Sequence, residues 1–271
     1  MPSAGSTLSV VVPVYNGEGF LAGCVENLRR QTRPPDEVIV VDDGSTDGTA
    51  AVARRLVGDV RYLRQANDGP GAARNRGLEL ARGSVVGLLD VDDVWPVDRS
   101  ELLLFHLARE PALDAVLGRV QHVRGPVAGS GEPAFVPLGA PVHALLLGSG
   151  LYRRAMFDRI GPFAEELRIG DDTDWFLRAM EQSAPMRGIE ATTLLYRMHA
   201  GNITGDRSAW ERGMLAALRR SLDRRLRAGG GEAAPLAPIP GTTPVDPKMR
   251  RAIEQDRTAW RGRQAGPREE S

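Results

Sequence analysis

Several residue types are scarce in this 271-residue chain, and each scarcity excludes a class of protein. A single cysteine, Cys24, rules out a disulfide framework within the chain and a metal cluster built on cysteines. The 35 basic and 35 acidic side chains leave no net charge, whereas a general nucleic-acid binder usually carries a basic excess. No run reaches the roughly 18 apolar residues that a membrane span needs. Since 42% of the residues are hydrophobic, the chain can still bury one large core.

The first residues, MPSAGST, lack the charged and apolar regions of a secretory signal. A reducing, cytoplasmic compartment is therefore expected. Cys24 lies in a segment with helical spacing and is expected to be a small buried apolar residue rather than a catalytic thiol.

Apolar, β-branched runs alternate with helical patterns in the first part of the chain. Strands are predicted at 8–14, 37–41, 59–64 and 84–89. Helices are predicted between them at 18–31, 47–57 and 70–81. This alternation predicts an α/β fold with a Rossmann-like, mostly parallel sheet and helices on both faces.

The pattern is weaker after Asp93. Further helices are predicted at 97–109, 153–160, 171–182 and 207–228, and further strands at 113–120 and 190–196. A loop rich in Gly and Pro is predicted at 124–141. The first predicted unit is a domain over 1–205, with halves at 1–95 and 96–205. A basic helix at 206–228 follows it. Residues 229–271 are predicted to be a flexible linker with a short charged segment, and 247–263 within them is a candidate helix.

Polar clusters follow three of the predicted strands, at the sheet edge where ligands bind in parallel α/β folds. Asp90 and Asp92 are spaced so that both carboxylates share a side of an extended backbone. Such a pair suits Mn²⁺ or Mg²⁺, which takes oxygen ligands and keeps positions open for phosphate. The alternative is that this segment only caps the next helix, through Asp93.

The second cluster is Asp42 and Asp43, within a sequence typical of turns and caps. Its functional interpretation is that Asp42 accepts a hydrogen bond from a nucleotide base. Asn67 precedes a glycine-containing loop that opens a helix, and Arg74 lies one turn into that helix. An arginine there can meet a pyrophosphate or a base, or can simply lie on a solvated helix face.

A third group of acids opens the helix predicted at 171–182. The helix dipole favours Asp171, Asp172 and Asp174 at this position, and an ionised aspartate can also act as general base on a hydroxyl. His199 follows the last predicted strand. It is either an ordinary histidine or a third ligand beside the metal carboxylates.

Taken together, these pieces resemble family 2 glycosyltransferases of the GT-A fold between Leu8 and Thr204. The matching stretches are VVPVYNGEGFL, EVIVVDDGSTDGT, NDGPGAARNRGL, LLDVDDVW, YRRAMFDRIGPFAEELRIGDDTDWFLRA and YRMHAGNIT. The resemblance implies transfer of a sugar from a nucleotide-diphosphate donor, with a UDP-sugar expected, by metal-assisted direct displacement and inversion. It makes 1–95 the donor half and 96–205 the acceptor half. The acceptor stays open among a glycan, a lipid, a peptide and a small molecule.

The resemblance also implies residue roles. The base lies in the family's Glu-Asp pair, which here reads Asp171-Asp172, so the first position departs; Asp172 is favoured as base and Asp171 stays open. Asp92 matches the direct ligand of Mn²⁺ or Mg²⁺, with Asp90 beside it, and His199 matches a residue that joins the metal or the diphosphate. Asp42 would face the base. The implied substrate-binding residues are Pro13, Tyr15, Asn16, Asp42, Asp43, Asn67, Arg74 and Asp90.

Other activities fit less well. A sugar-nucleotide nucleotidyltransferase would need a Gly-rich signature and a lysine after the first strand, but the chain has one lysine, Lys248. A dinucleotide-dependent oxidoreductase would need G-x-G-x-x-G there. A non-catalytic sugar-nucleotide-binding or scaffold protein is the alternative from a different class, and the full set of acids argues against it.

The helix at 207–228 carries seven arginines and has two interpretations. In the first, an apolar face packs on the domain while the arginines are solvated. In the second, the helix binds anionic lipid at the inner face of the membrane or an acidic acceptor. A further hypothesis places self-association, as a homodimer, in 247–263. The apolar face of the first interpretation comprises Met214, Leu215, Leu218 and Leu222.

Overall fold

The computed structural model describes residues 6–56, 58, 60–125, 135–199, 201–202 and 206–242. Its strands are β1 (Leu8–Val14), β2 (Glu37–Asp42), β3 (Val60–Arg64), β4 (Val85–Leu88), β5 (Ala115–Arg124), β6 (Val136–Pro137), β7 (Gly150–Arg153) and β8 (Met186–Met198). Its α-helices are α1 (Leu21–Arg29), α2 (Thr49–Ala53), α3 (Pro70–Leu80), α4 (Arg99–Arg109), α5 (Arg154–Ile160), α6 (Asp171–Glu181) and α7 (Arg207–Ala228).

The strands form one sheet in the order β3-β2-β1-β4-β7-β5-β6, with β8 paired to β5. Strands β3, β2, β1 and β4 are mutually parallel, and β8 is parallel to β5. Only β6 and β7 run antiparallel to their neighbours. The predicted mostly parallel sheet is confirmed. The strand order reverses between β1 and β4, which is where ligands bind in such sheets.

Burial on both faces of the sheet explains the apolar strand sequences. Val10 and Val12 of β1 belong to a core cluster shared with α1 and α4. Val11, which points the opposite way, belongs to a second cluster shared with α3, α5 and α6. Because successive side chains alternate between the faces, a strand covered on both must be apolar throughout. Cys24 is buried in the first cluster, as expected.

The structure differs from the sequence prediction at strands that are defined by hydrogen bonds to neighbouring strands and not by a pattern in their own sequence. No strand was predicted at Gly150–Arg153, yet β7 lies between β4 and β5 and pairs with both. Four residues are too few to show a periodicity, so only the neighbouring strands define it. Likewise β5 and β8 extend well beyond the predicted 113–120 and 190–196 because they pair along nearly their whole length.

The predicted packing face of α7 is wrong. Leu215, Leu218 and Leu222 are 65%, 51% and 42% exposed, and the small residues Ala217 and Ser221 are buried in their place. The arginines of the opposite face point towards α6 instead. They do so because α6 buries the carboxylate of Asp174, and a buried charge must be paired.

The predicted flexible linker is also wrong for its first part. Ile239 is buried in the core cluster that includes Met186. The carbonyl of Pro240 accepts a hydrogen bond from the Gly188 amide at 2.7 Å, so the chain runs back to the start of β8. The segment at 247–263 lies outside the described residues. Within the described ranges, no helix is long and apolar enough to cross a bilayer.

Candidate active site

A cavity of about 820 Å³ lies beyond the carboxyl ends of β1 and β4. Its size falls in the usual range for small-molecule sites. Residues from both predicted halves of the domain line it. Nine of the twelve predicted site residues are among them: Pro13, Tyr15, Asp43, Asn67, Arg74, Asp90, Asp92, Asp171 and Asp172.

Asp92 and His199 meet beside this cavity. The imidazole Nε2 lies 2.8 Å from an Asp92 carboxylate oxygen, although 107 positions separate the two residues. Asn202 was not predicted from the sequence. Its side-chain nitrogen lies 3.4 Å from the same oxygen, and its side-chain oxygen accepts a hydrogen bond from the His199 backbone amide. A glycine followed by an asparagine, Gly201-Asn202, is typical of turns, and this is the signal by which Asn202 could have been found.

Asp93 has a different role from the helix cap considered from the sequence. Its buried carboxylate accepts the backbone amide of Arg197 at 2.9 Å, so the turn after β4 holds the end of β8, next to His199. Burial, together with Asp92 and Asp90, raises the pKa of Asp93 well above its ordinary range. A cation at this cluster would relieve that repulsion.

Asp42 and Asp43 have different roles, which the sequence did not indicate. Asp42 is fully buried, and its two oxygens accept hydrogen bonds from the Ser45 amide and the Tyr62 hydroxyl. It does not line the cavity, so the prediction that Asp42 faces the base is wrong. Asp43 lines the cavity and accepts the amides of Asp68 and Gly69, which fixes the loop before α3.

Tyr15 and Asn16 both follow β1, but they have different roles. Tyr15 lines the cavity with half of its surface exposed, so its ring is available to a ligand. Asn16 does not line the cavity. Its φ of 52° is left-handed, and its side-chain oxygen accepts the backbone amide of Thr46. Asparagine tolerates this conformation better than most residues, so Asn16 shapes the loop rather than the cavity wall.

Arg74 lies between the two groups of acids. One guanidinium nitrogen donates to Asp90 at 2.8 Å and another to Asp171 at 2.5 Å. Asp171 is buried, and one of its carboxylate oxygens accepts the bond from Arg74.

The three acids that open α6 therefore have separate environments. Asp171 is paired with Arg74, whereas the carboxylate of Asp174 is paired with arginines of α6 and α7. Asp172 lines the cavity and forms no ion pair among the described residues; one of its oxygens accepts the Thr173 amide at 2.6 Å. Burial, with Asp171 beside it, raises the pKa of Asp172 to about 6.

The cavity wall also contains residues that were not predicted as site residues from the sequence. Trp210 and Met214, on the first turns of α7, line the cavity, as does Arg168 in the loop before α6. Two glycines bring α7 this close. A Cβ on Gly213 would lie 2.5 Å from the Ile169 carbonyl, and one on Gly170 would lie 2.9 Å from the Gly213 carbonyl. No local pattern in the sequence indicates such a contact.

The residues present fit a magnesium or manganese ion, but they do not form a complete cage. No group of three or more His, Cys, Asp or Glu side chains arranged for a metal occurs in the described part of the chain. Mg²⁺ is commonly held by one or two carboxylates together with substrate phosphates and water. Asp92 and His199, whose side chains lie 2.8 Å apart, can supply part of such a ligand set, and Asp90, which bonds Arg74, lines the same cavity.

Comparison with known proteins identifies the class of this fold and site. The family described as Glycosyl transferase family 2 matches residues 9–160, more than half of the chain. The chain belongs to this family. The matched residues include both clusters at the ends of β2 and β4. They end before α6, so the acids at 171–174 lie outside the match.

Named relatives agree with the family. The uncharacterized glycosyltransferase EpsJ of Bacillus subtilis is 27% identical over 222 residues, which cover 73% of this chain and 62% of EpsJ. The uncharacterized glycosyltransferase YibD of Escherichia coli is 39% identical over 118 residues, covering 42% of this chain and 34% of YibD. The chain thus spans less than two thirds of the length of either relative.

Among solved structures, S. aureus TarS 1–349 in complex with UDP-GlcNAc shares this fold. It superposes with a TM-score of 0.64 at 24% identity, covering 81% of this chain and 66% of that one. The longer TarS structure gives a TM-score of 0.60 at 23% identity and covers 81% and 40%. At these identities the likeness establishes the GT-A fold, which agrees with the predicted architecture.

Proposed function

We propose that this glycosyltransferase moves a sugar from a UDP-sugar to an acceptor hydroxyl by direct displacement, with inversion at the anomeric carbon. Asp172 is the general base. The observation that carries the proposal is its environment: a carboxylate on the cavity wall, without an ion pair among the described residues, whose pKa is raised to about 6. A carboxylate whose pKa lies near the working pH is ionised there and is still basic enough to accept the proton of a hydroxyl.

The donor would occupy the part of the cavity formed by Tyr15, Asp43 and Asn67. An exposed aromatic ring can stack on a base, and the acidic and amide groups beside it can bond the base or the ribose. The complexes of TarS with UDP and with UDP-GlcNAc support a uridine donor.

The bonds that change are few. The acceptor oxygen attacks the anomeric carbon, the bond from that carbon to the diphosphate oxygen breaks, and the hydroxyl proton passes to Asp172. A divalent ion held by Asp92, Asp90 and His199 would supply positive charge where the leaving diphosphate becomes more negative.

The acceptor remains a glycan, a lipid, a peptide or a small molecule. Trp210 and Met214 give its side of the cavity an apolar and aromatic character. Cytoplasmic location, peripheral membrane contact and a homodimer stay predictions from the sequence. The scaffold alternative differs from the proposed enzyme in one outcome, because a scaffold releases no nucleoside diphosphate.

Calorimetric titration tests the donor site directly. UDP, GDP and dTDP are titrated with Mn²⁺ and then with EDTA, using wild type, Asp92→Ala and the control Asp98→Asn. Asp98 is an exposed residue just before α4. We expect UDP to bind most tightly, with the binding lost in EDTA and in Asp92→Ala but kept in Asp98→Asn. If folded wild-type protein binds no nucleotide, the donor-site assignment fails.

A further inference from the structure

Arg74 connects parts of the molecule that are far apart in sequence. It lies on α3, and it bonds Asp90 after β4 and Asp171 at the start of α6, which is 97 positions away. Its side chain is nearly enclosed, with only 6% of the residue exposed. Although burial alone would lower it, the neighbouring Asp171 and Asp90 raise the pKa of Arg74, so it is a permanent cation here.

The contacts leave Arg74 little capacity to hold a nucleotide. Both terminal nitrogens are engaged by carboxylates, and Nε is buried without a hydrogen-bond partner among the described residues. A planar guanidinium can bridge two carboxylates in a fixed geometry, which a single ammonium cannot. The side chain is therefore placed as a link between the two acids.

Neighbouring residues of α3 make contacts of the same kind. Asn75 accepts the backbone amide of Phe163 at 2.8 Å and donates to the carbonyl of the same residue at 3.0 Å. A Cβ on Gly71 would lie 3.1 Å from the Ala164 carbonyl, so this helix and the loop before α6 are in close contact. Residues 71, 74 and 75 share one helix face, and each of them contacts the acceptor half.

We propose that Arg74 is a positioning residue: it fixes the start of α6, and with it the base Asp172, relative to the donor-side carboxylate Asp90. Asp171 is its anchor and takes no part in proton transfer. This inference rests on the proposed role of Asp172. The positioning role also explains why Asp171 is paired with Arg74, whereas the adjacent Asp172 has no ion pair among the described residues.

The kinetic constants separate positioning from nucleotide binding. If the link positions the base, Arg74→Lys and Asp171→Asn each lower kcat by about 10- to 100-fold, because misplacing a catalytic group by about 1 Å costs up to 100-fold. The donor KM and the Kd for UDP with Mn²⁺ change less than about threefold. If Arg74 instead held the diphosphate, Arg74→Lys would retain most of kcat, and Arg74→Met would raise donor KM and Kd together.

The double variant and a control complete the test. Because both residues act through one contact, the loss of kcat in Arg74→Met/Asp171→Asn should be no larger than in the worse single variant. The control is Arg76→Met on the same helix, whose exposed side chain pairs with Glu79 at 2.5 Å; its kcat should equal that of wild type. Should Arg74→Met not fold, the closely matched Arg74→Lys and Asp171→Asn still decide the question.

The outcomes distinguish this inference from the proposed function. Wild type that releases no UDP from any donor overturns the proposed function before any variant is made. Active wild type with an unchanged kcat in both Arg74→Lys and Asp171→Asn, or with additive losses in the double variant, overturns the positioning role alone.

Discussion

Replacing Asp172 by asparagine should abolish transfer and at the same time stabilise the folded protein at neutral pH. The pKa of Asp172 is about 6 in the folded chain against an ordinary value of 3.8. A carboxyl whose pKa is raised by folding binds its proton more tightly in the folded state. Its favourable contribution is therefore complete at low pH and is lost as pH rises from about 4 to about 6.

The magnitude follows from the two pKa values. Relative to a carboxyl that stays protonated, titration of Asp172 lowers the free energy of unfolding by about 1 kcal/mol at pH 4.5 and by about 3 kcal/mol at pH 7.5. Asparagine has nearly the same shape and does not titrate. The difference in free energy of unfolding between Asp172→Asn and wild type should thus grow by about 2 kcal/mol, in favour of the variant, between these two pH values.

Urea denaturation in EDTA, without nucleotide, measures this difference. The control is Asp158→Asn, a replacement of the same type at an exposed position on α5, measured under the same conditions. In parallel, kcat of wild type should rise through about pH 6 as the base ionises. A difference between Asp172→Asn and wild type that stays constant from pH 4.5 to 7.5 would refute the environment assigned to this carboxyl.

Three further predictions concern α7. Gly213→Ala places a methyl group against the Ile169 carbonyl, so it should cost about 1–3 kcal/mol in urea denaturation and lower acceptor turnover more than UDP binding. Leu218→Ser should change stability by less than about 0.5 kcal/mol because Leu218 is exposed, whereas Ala217→Leu, at a buried position, should cost about 1–3 kcal/mol; equal effects would contradict the observed orientation of the helix. Asp174→Asn leaves the arginines of α6 and α7 with a neutral partner and should cost about 2 kcal/mol, a loss that Asp223→Asn on the outer face of α7 should not reproduce.

The part of the fold over residues 1–95 was predictable because its information is local. Strands β1 and β2 are continuous apolar runs, and they proved to be buried on both faces. The rule that ligands bind where parallel strands end then predicted that Tyr15, Asp43 and Asp90 lie at one site, and all three line the cavity.

Individual side-chain directions were not predictable in the same way. Asp42 and Asp43 are adjacent acids with the same local chemistry, and the choice between them depends on Tyr62, a residue of β3 that bonds Asp42. Similarly, Asp171 differs from Asp172 only because Arg74 reaches it from α3. Contacts between residues distant in sequence leave no local pattern to interpret.

The prediction of which face of α7 is buried was wrong for a related reason. Leucines at helical spacing predict a buried face, and that rule assumes that burial of apolar area dominates. Here the partner surface carries Asp174, and pairing of Arg220 and Arg224 with α6 turns the leucines outward. The sequence contained these charges, but not the information that they face each other.

The close contact between Gly170 and Gly213 has a consequence for recombining members of this family. A crossover placed between α6 and α7 would pair an α6 from one parent with an α7 from another, and any side chain larger than glycine at either position would force the two apart. It would also separate Asp174 from Arg224. Chimeras that exchange acceptor preference should therefore transfer residues 161–228 as one block, with both junctions outside it.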